Sequence, residues 1–206
     1  MLKLYFAPGT CALASHIALA DAGADYSTER VDFKTNQQNS PEYLKINAKG
    51  RVPALVTDRG ILTETPAMLA FIAQSFPKAK LAPFEDAYAF AQVQSFNSYL
   101  CSTVHTNHAH KMRGARWATE ESSFADMKRM IPKTVGASFA LIERDMQKGP
   151  WVMGDTYTIC DPYLFTLSGW LEGDGVDIST LPKVADHRKR MADRPAVQKA
   201  LAEEKI

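Results

Sequence analysis

By residue type and spacing, Cys11 is the side chain best placed for nucleophilic chemistry. It follows the turn Ala7-Pro8-Gly9-Thr10 and opens the run Ala12, Leu13, Ala14, Ile17, Ala18 and Leu19. Upstream, Leu2, Leu4 and Phe6 alternate with Lys3 and Tyr5, which predicts a short strand broken at Pro8-Gly9. The alanine-rich run predicts a helix that ends near Gly23. Strand, turn, cysteine and helix in that order set the thiol at a helix N-terminus. There, unpaired N–H groups and a partial positive charge favour a thiolate. Outside such a setting a cysteine is usually a small buried hydrophobe. His16 lies five residues on, about 140° around the helix, and reads as structural rather than as a base for Cys11.

Three of the five histidines, His105, His108 and His110, fall within six residues. Cys101, His105 and His108 recur at i, i+4 and i+7 on one helical face. Imidazole and thiolate on one face are metal-ligand types, but no fourth ligand stands nearby in sequence, and no metal is expected. The other two cysteines, Cys101 and Cys160, fall mid-helix and beside a helix start, where packing is the default role.

The elements that must carry these residues change character near residue 78. Before it, strand-like and helical runs alternate: Leu2–Phe6 and its helix, Tyr26–Phe33, a short segment at Leu44–Ile46, and Val52–Thr57. The turn Asp58-Arg59-Gly60 and strand Ile61–Thr63 follow. Thr65-Pro66 then starts an apolar helix, with Thr65 as cap and Pro66 at the first helical position. The order β-α-β-α-β-β-α predicts a small mixed sheet with helices packed on it. Residues 78–86, flanked or punctuated by Pro77 and Pro83, read as a linker. Beyond it Ala89, Val93, Phe96, Leu100 and Val104 mark one face of a long helix. Thr158-Ile159-Cys160-Asp161 reads as a capping box with aspartate in the glutamate position, and Pro182 and Pro195 each sit in a first helical turn. The expected domains are therefore 1–77, α/β, and 87–206, all-α.

Composition narrows the function. A net charge of +1 argues against electrostatic capture of nucleic acid or an anionic membrane. Three widely spaced cysteines make no disulfide framework and suit a reducing interior. No apolar run approaches about 18 residues, and residues 1–20 read poorly as a signal peptide. A cytoplasmic protein is expected.

The residues resemble the bacterial beta-class glutathione S-transferases over nearly the whole chain. The matching stretches are Ala7–His16, Val31-Asp32-Phe33-Lys34, Asn47–Leu55, Leu62-Thr63-Glu64-Thr65, His105, Gly154–Asp161 and Ala192–Val197. The resemblance implies a thioredoxin-like domain that binds glutathione as cosubstrate, a helical domain that carries the second-substrate pocket, and a homodimer. It implies conjugation of the glutathione thiolate to small hydrophobic electrophiles. Two alternatives stand beside it: a thiol reductase or reductive dehalogenase working through a Cys11 mixed disulfide, and a non-catalytic binding or regulatory protein of the same fold.

Glutathione carries two carboxylates, one ammonium and a thiol, and each group needs a partner. With a cis Pro53, the Val52 backbone suits the cysteinyl unit. Glu64 can accept from the γ-glutamyl ammonium, while the Thr65 hydroxyl and its helix N-terminus receive the carboxylate. Lys34 is the counter-charge for the glycyl carboxylate. Cys11 either holds the glutathione thiolate or forms a disulfide with it, and Thr10 and Tyr5 are the rival hydroxyl groups. In the family the histidine matched by His105 reaches the sulfur from the helical domain. Ser98 stands where an asparagine usually reaches the partner subunit's glutathione, and Ser102 is a neighbouring binding candidate. Arg51 and Ala48 replace a glutamine and a proline.

Overall fold

The structure, a computed structural model, describes residues 1–205. The expected helical domain ends at Ile206, which lies outside them. Four strands form one sheet: β1 (Leu2–Phe6), β2 (Tyr26–Arg30), β3 (Ala54–Thr57) and β4 (Gly60–Thr63), in the order β2-β1-β3-β4. β1 runs parallel to β2, with Phe6 opposite Arg30, and antiparallel to β3, with Tyr5 opposite Ala54. β3 and β4 make a hairpin in which Ala54 pairs with Thr63. Helices α1 (Ala12–Asp21), α2 (Pro41–Ile46) and α3 (Thr65–Ser75) complete the expected mixed, thioredoxin-like arrangement.

The chain packs as two compact units, Met1–Ala91 together with the segment from Met191, and Gln92–Arg190. In the first, Ala12 through Leu19 are buried without a break. Such a helix is covered on every side, and α1 packs on β1, α3 and the C-terminal helix α9 (Pro195–Glu204). Leu4, Leu55, Ile17, Leu19, Met68, Leu69 and Ile72 are wholly buried there. Each aliphatic side chain of this kind contributes about 1.5–3 kcal/mol by leaving water.

The second unit is helical. It contains most of α4 (Ala87–Tyr99), a π-wound turn Leu100–Val104, α5 (His105–Ala109), α6 (Glu121–Leu141), a second π-wound turn Ile142–Met146, α7 (Cys160–Ser168) and most of α8 (Pro182–Ala192). Tyr163, Phe139, Leu100, Ile142 and Ile159 fill its core. The sequence predicts one continuous helix through Val104, but the π turn inserts an extra residue into the i→i−4 ladder, so Cys101 and His105 do not share a regular α-helical face. The capping box forms as expected: the Thr158 N–H donates to Asp161 Oδ2 at 2.7 Å, and the Cys160 N–H donates to Thr158 Oγ1 at 3.3 Å. Among the described residues no helix is long and apolar enough to cross a membrane.

Candidate functional site

Sheet register gathers the residues of the first unit that the sequence singles out. The C-terminal ends of β1 and β2 lie side by side because those strands are parallel, and the Val31 N–H donates to the Phe6 carbonyl at 2.7 Å. The start of β3 and the end of β4 meet the same edge through the pairs Tyr5–Ala54 and Ala54–Thr63. Cys11 follows β1, Lys34 follows β2, Val52 precedes β3, and Glu64 and Thr65 follow β4. All five therefore stand at one end of the sheet.

Cys11 occupies the N-cap position of α1, and its sulfur is 3.7 Å from the Val52 carbonyl oxygen. It is nearly buried, at 8% exposure. Thr10 is engaged locally: its hydroxyl donates to the Ala7 carbonyl at 2.7 Å and accepts the Ala12 N–H at 3.3 Å. That bonding builds the turn that presents the thiol, which makes Thr10 a positioning residue. Tyr5 sits in β1 with its ring edge-on to Tyr43, centroids 5.7 Å apart.

The Val52-Pro53 bond is cis, as the resemblance implies. Two residues unforeseen in the sequence fix the loop before it. The Tyr43 hydroxyl and the Asn47 amide both donate to the Arg51 carbonyl, at 2.7 and 2.6 Å. Burial, and then the neighbouring Tyr5, raises the Tyr43 pKa well above the usual tyrosine value, so the phenol stays a donor. Val52 and Tyr43 share an apolar cluster with Phe6, Ala7, Ala12 and Val31, bordered by Tyr5, Phe33 and Ile46.

Glu64, not Thr65, is the N-cap of α3; Thr65 is the first helical residue and is buried. Glu64 adopts φ 72° and ψ 116°, a conformation that costs a non-glycine residue about 1–3 kcal/mol. The surrounding structure holds it: the Met68 N–H donates to the Glu64 carbonyl at 3.0 Å, and the Lys49 ammonium ion-pairs with the Glu64 carboxylate and donates to Thr63 Oγ1 at 2.7 Å. Lys49 is a further residue at this edge that sequence reasoning missed, although it lies inside the matched stretch Asn47–Leu55. Lys34 is exposed in a turn closed by its own N–H to Asp32 Oδ1 at 2.8 Å.

His16 is structural. Its two ring nitrogens face Glu204 Oε1 at 3.0 Å and Glu203 Oε2 at 2.7 Å, tying α1 to α9. Two carboxylates facing one imidazole require a second proton in the group, on the ring or on a glutamate. Burial, partly offset by His16, raises the Glu204 pKa.

In the second unit His105 opens α5, with its ring centroid 5.2 Å from that of Trp170. Ser98 and Ser102 are exposed, and the Ser102 hydroxyl lies 3.5 Å from that of Thr103. Among the described residues no group of three or more His, Cys, Asp or Glu is arranged to hold a metal.

Two family models match: the glutathione S-transferase N-terminal domain over residues 1–74 and the glutathione S-transferase C-terminal domain over residues 107–204. Glutathione S-transferase GstA of Escherichia coli O157:H7 is 32% identical over 206 residues, covering 98% of each chain. A solved structure of a glutathione transferase homologue from Sulfitobacter, with bound glutathione, superposes with a TM-score of 0.97 at 46% identity, covering 100% of this chain and 99% of that one. A bacterial beta-class glutathione S-transferase from Sphingomonas chungbukensis gives a TM-score of 0.84 at 31% identity over 98% of both chains.

Proposed function

The chain belongs to the glutathione S-transferase family of enzymes, and we propose that it joins the glutathione thiolate to small hydrophobic electrophiles in the cytoplasm, as a homodimer. The observation that carries this reading is the convergence of Cys11, Lys34, Val52, Glu64 and Thr65 on one sheet edge, with the Cys11 sulfur beside the Val52 carbonyl. The Val52 backbone pairs with the cysteinyl unit. The strained Glu64 accepts from the γ-glutamyl ammonium, and the α3 N-terminus with Thr65 receives the carboxylate. Lys34 faces the glycyl carboxylate. Ser98, Ser102 and His105 enter as binding candidates from the family resemblance.

Catalysis then requires little beyond a stabilised thiolate. Lowering a thiol pKa by two units takes about 2.7 kcal/mol, within reach of one or two hydrogen bonds to a charged sulfur plus a helix N-terminus. The thiolate forms the new S–C bond, and the leaving group departs with the electron pair of the bond that breaks. Glu64→Ala is expected to weaken glutathione binding by about 1.5–3 kcal/mol, the scale of a hydrogen bond to a charged group. Unchanged affinity by calorimetry in a folded variant would contradict this site.

A second reading, thiol–disulfide exchange through Cys11, is favoured by the local bonding of Thr10, which leaves the sulfur as the group facing Val52. The Cys11 thiolate would attack a mixed disulfide of glutathione, form a new S–S bond and expel the substrate thiolate, and a second glutathione would release Cys11. Cys11→Ala is expected to abolish glutathione-dependent disulfide reduction while leaving conjugation. Parallel assays of the two activities separate the readings, and absence of both supports a binding protein.

A further inference from the structure

His108 lies on α5, one turn beyond His105, with its side chain 27% exposed. Its Nδ1 is 2.6 Å from Oδ2 of Asp174, a carboxylate that is itself 1% exposed. A ring nitrogen facing a buried carboxylate at that distance carries the proton. The other Asp174 oxygen lies 3.2 Å from the Lys111 ammonium, which also donates to the Gly173 carbonyl. Asp174 is held in turn by the chain, for its N–H donates to the Trp170 carbonyl at 2.9 Å. The His108 ring stacks on Trp170, with centroids 4.2 Å apart and planes 24° apart.

These contacts leave one polar ring atom for a ligand. Among the described residues Nε2 of His108 has no hydrogen-bond partner, and the ring cannot turn without breaking both the Asp174 bond and the Trp170 stack. Charge sets what that atom accepts. Lys111 neutralises Asp174, so the cluster is neutral with a neutral imidazole and +1 with a protonated one. A ligand carboxylate at Nε2 would complete a carboxylate–imidazolium–carboxylate row in which each acceptor meets an N–H. The indole and imidazole faces beside it suit a flat apolar ring.

We infer that His108, aimed by Asp174, is a specificity-determining residue of the second-substrate site in the helical unit, favouring aromatic electrophiles that bear a carboxylate. The inference rests on the transferase reading and narrows its substrate class. In the conjugation of 4-chloro-3,5-dinitrobenzoate, the glutathione sulfur would bond the ring carbon that loses chloride, and chloride leaves with the C–Cl electron pair. His108 takes no part in that exchange; it holds the carboxylate. Asp174 is a positioning residue.

The test pairs 3,5-dinitrobenzoate with its methyl ester, neither of which has a leaving group, and titrates each into the protein by tryptophan fluorescence. The carboxylate is expected to bind at least tenfold more tightly than the ester. His108→Gln is expected to erase that preference without changing ester affinity or the melting temperature, and His108→Lys to restore part of it. With the 4-chloro pair, His108→Gln is expected to raise KM for the carboxylate about tenfold, the effect of about 1.4 kcal/mol. kcat and the glutathione KM are expected to hold. Equal binding of acid and ester by the unmodified protein would overturn the inference, as would a His108→Gln variant that loses both equally. Because titration needs no turnover, selective binding without conjugation would count against the transferase reading alone.

Discussion

Cys11 and Cys160 share a local design and differ in surroundings. Each stands at the start of a helix, each follows a turn, and each sulfur faces a backbone carbonyl, that of Val52 at 3.7 Å and that of Val93 at 3.5 Å. Each helix is also pinned by a buried histidine against a carboxylate: His16 with Glu204, and His187 with Asp161 at 3.0 Å. The first turn of α1 holds no acidic residue, whereas α7 begins with Asp161. Asp161 accepts the Val152 and Thr158 N–H groups at 2.8 and 2.7 Å, so its negative charge sits beside Cys160. Complete burial, and then Asp161, pushes the Cys160 pKa well above the usual thiol value. A helix N-terminus alone therefore does not make a reactive cysteine. Desolvation and one adjacent carboxylate outweigh the dipole, which contributes about 0.3–1 kcal/mol at an exposed site.

Removing the carboxylate tests that comparison most severely. Asp161→Ala strands two buried N–H groups and the His187 ring, and is expected to cost about 3–5 kcal/mol of stability by urea denaturation. Because burial is the larger cause of the Cys160 shift, the thiol in the folded variant is expected to stay slow toward alkylation. Rapid labelling there would assign its inertness to Asp161 instead. A smaller effect concerns the support of α1. Glu204 holds its proton more tightly folded than unfolded, since burial raises its pKa above the usual 4.5. Its contribution is complete below about pH 4.5 and declines as pH rises through the higher folded value. Glu204→Gln is expected to flatten that decline in melting temperature against pH. An unchanged profile would show that the His16 cluster does not titrate in this range.

The sequence is informative where one short segment both forms an element and carries the chemistry. Pro8–Cys11, Val52-Pro53, Glu64-Thr65 and Thr158–Asp161 are such segments, and their local structures follow from turn, proline and capping rules. Pairings that span the chain leave no local trace. Neither Lys49 with Glu64, nor His108 with Asp174, nor His16 with Glu203 and Glu204 follows from periodicity, because each depends on tertiary packing. The π turn at Leu100–Val104 is invisible for another reason: its apolar spacing fits an unbroken α-helix to within one residue. Glu64 displaces Thr65 from the cap because the residue after β4 must turn through positive φ before α3 begins, and no glycine marks the position.

The central claim is that Cys11 carries the sulfur chemistry while Cys101 and Cys160 do not. Timed alkylation of the folded protein at neutral pH, with each site mapped by mass spectrometry, tests it directly. Cys11 is expected to label first, bound glutathione to slow it, and Cys160 to label only as the protein unfolds. Labelling of Cys101 or Cys160 ahead of Cys11 in the folded protein would contradict the account.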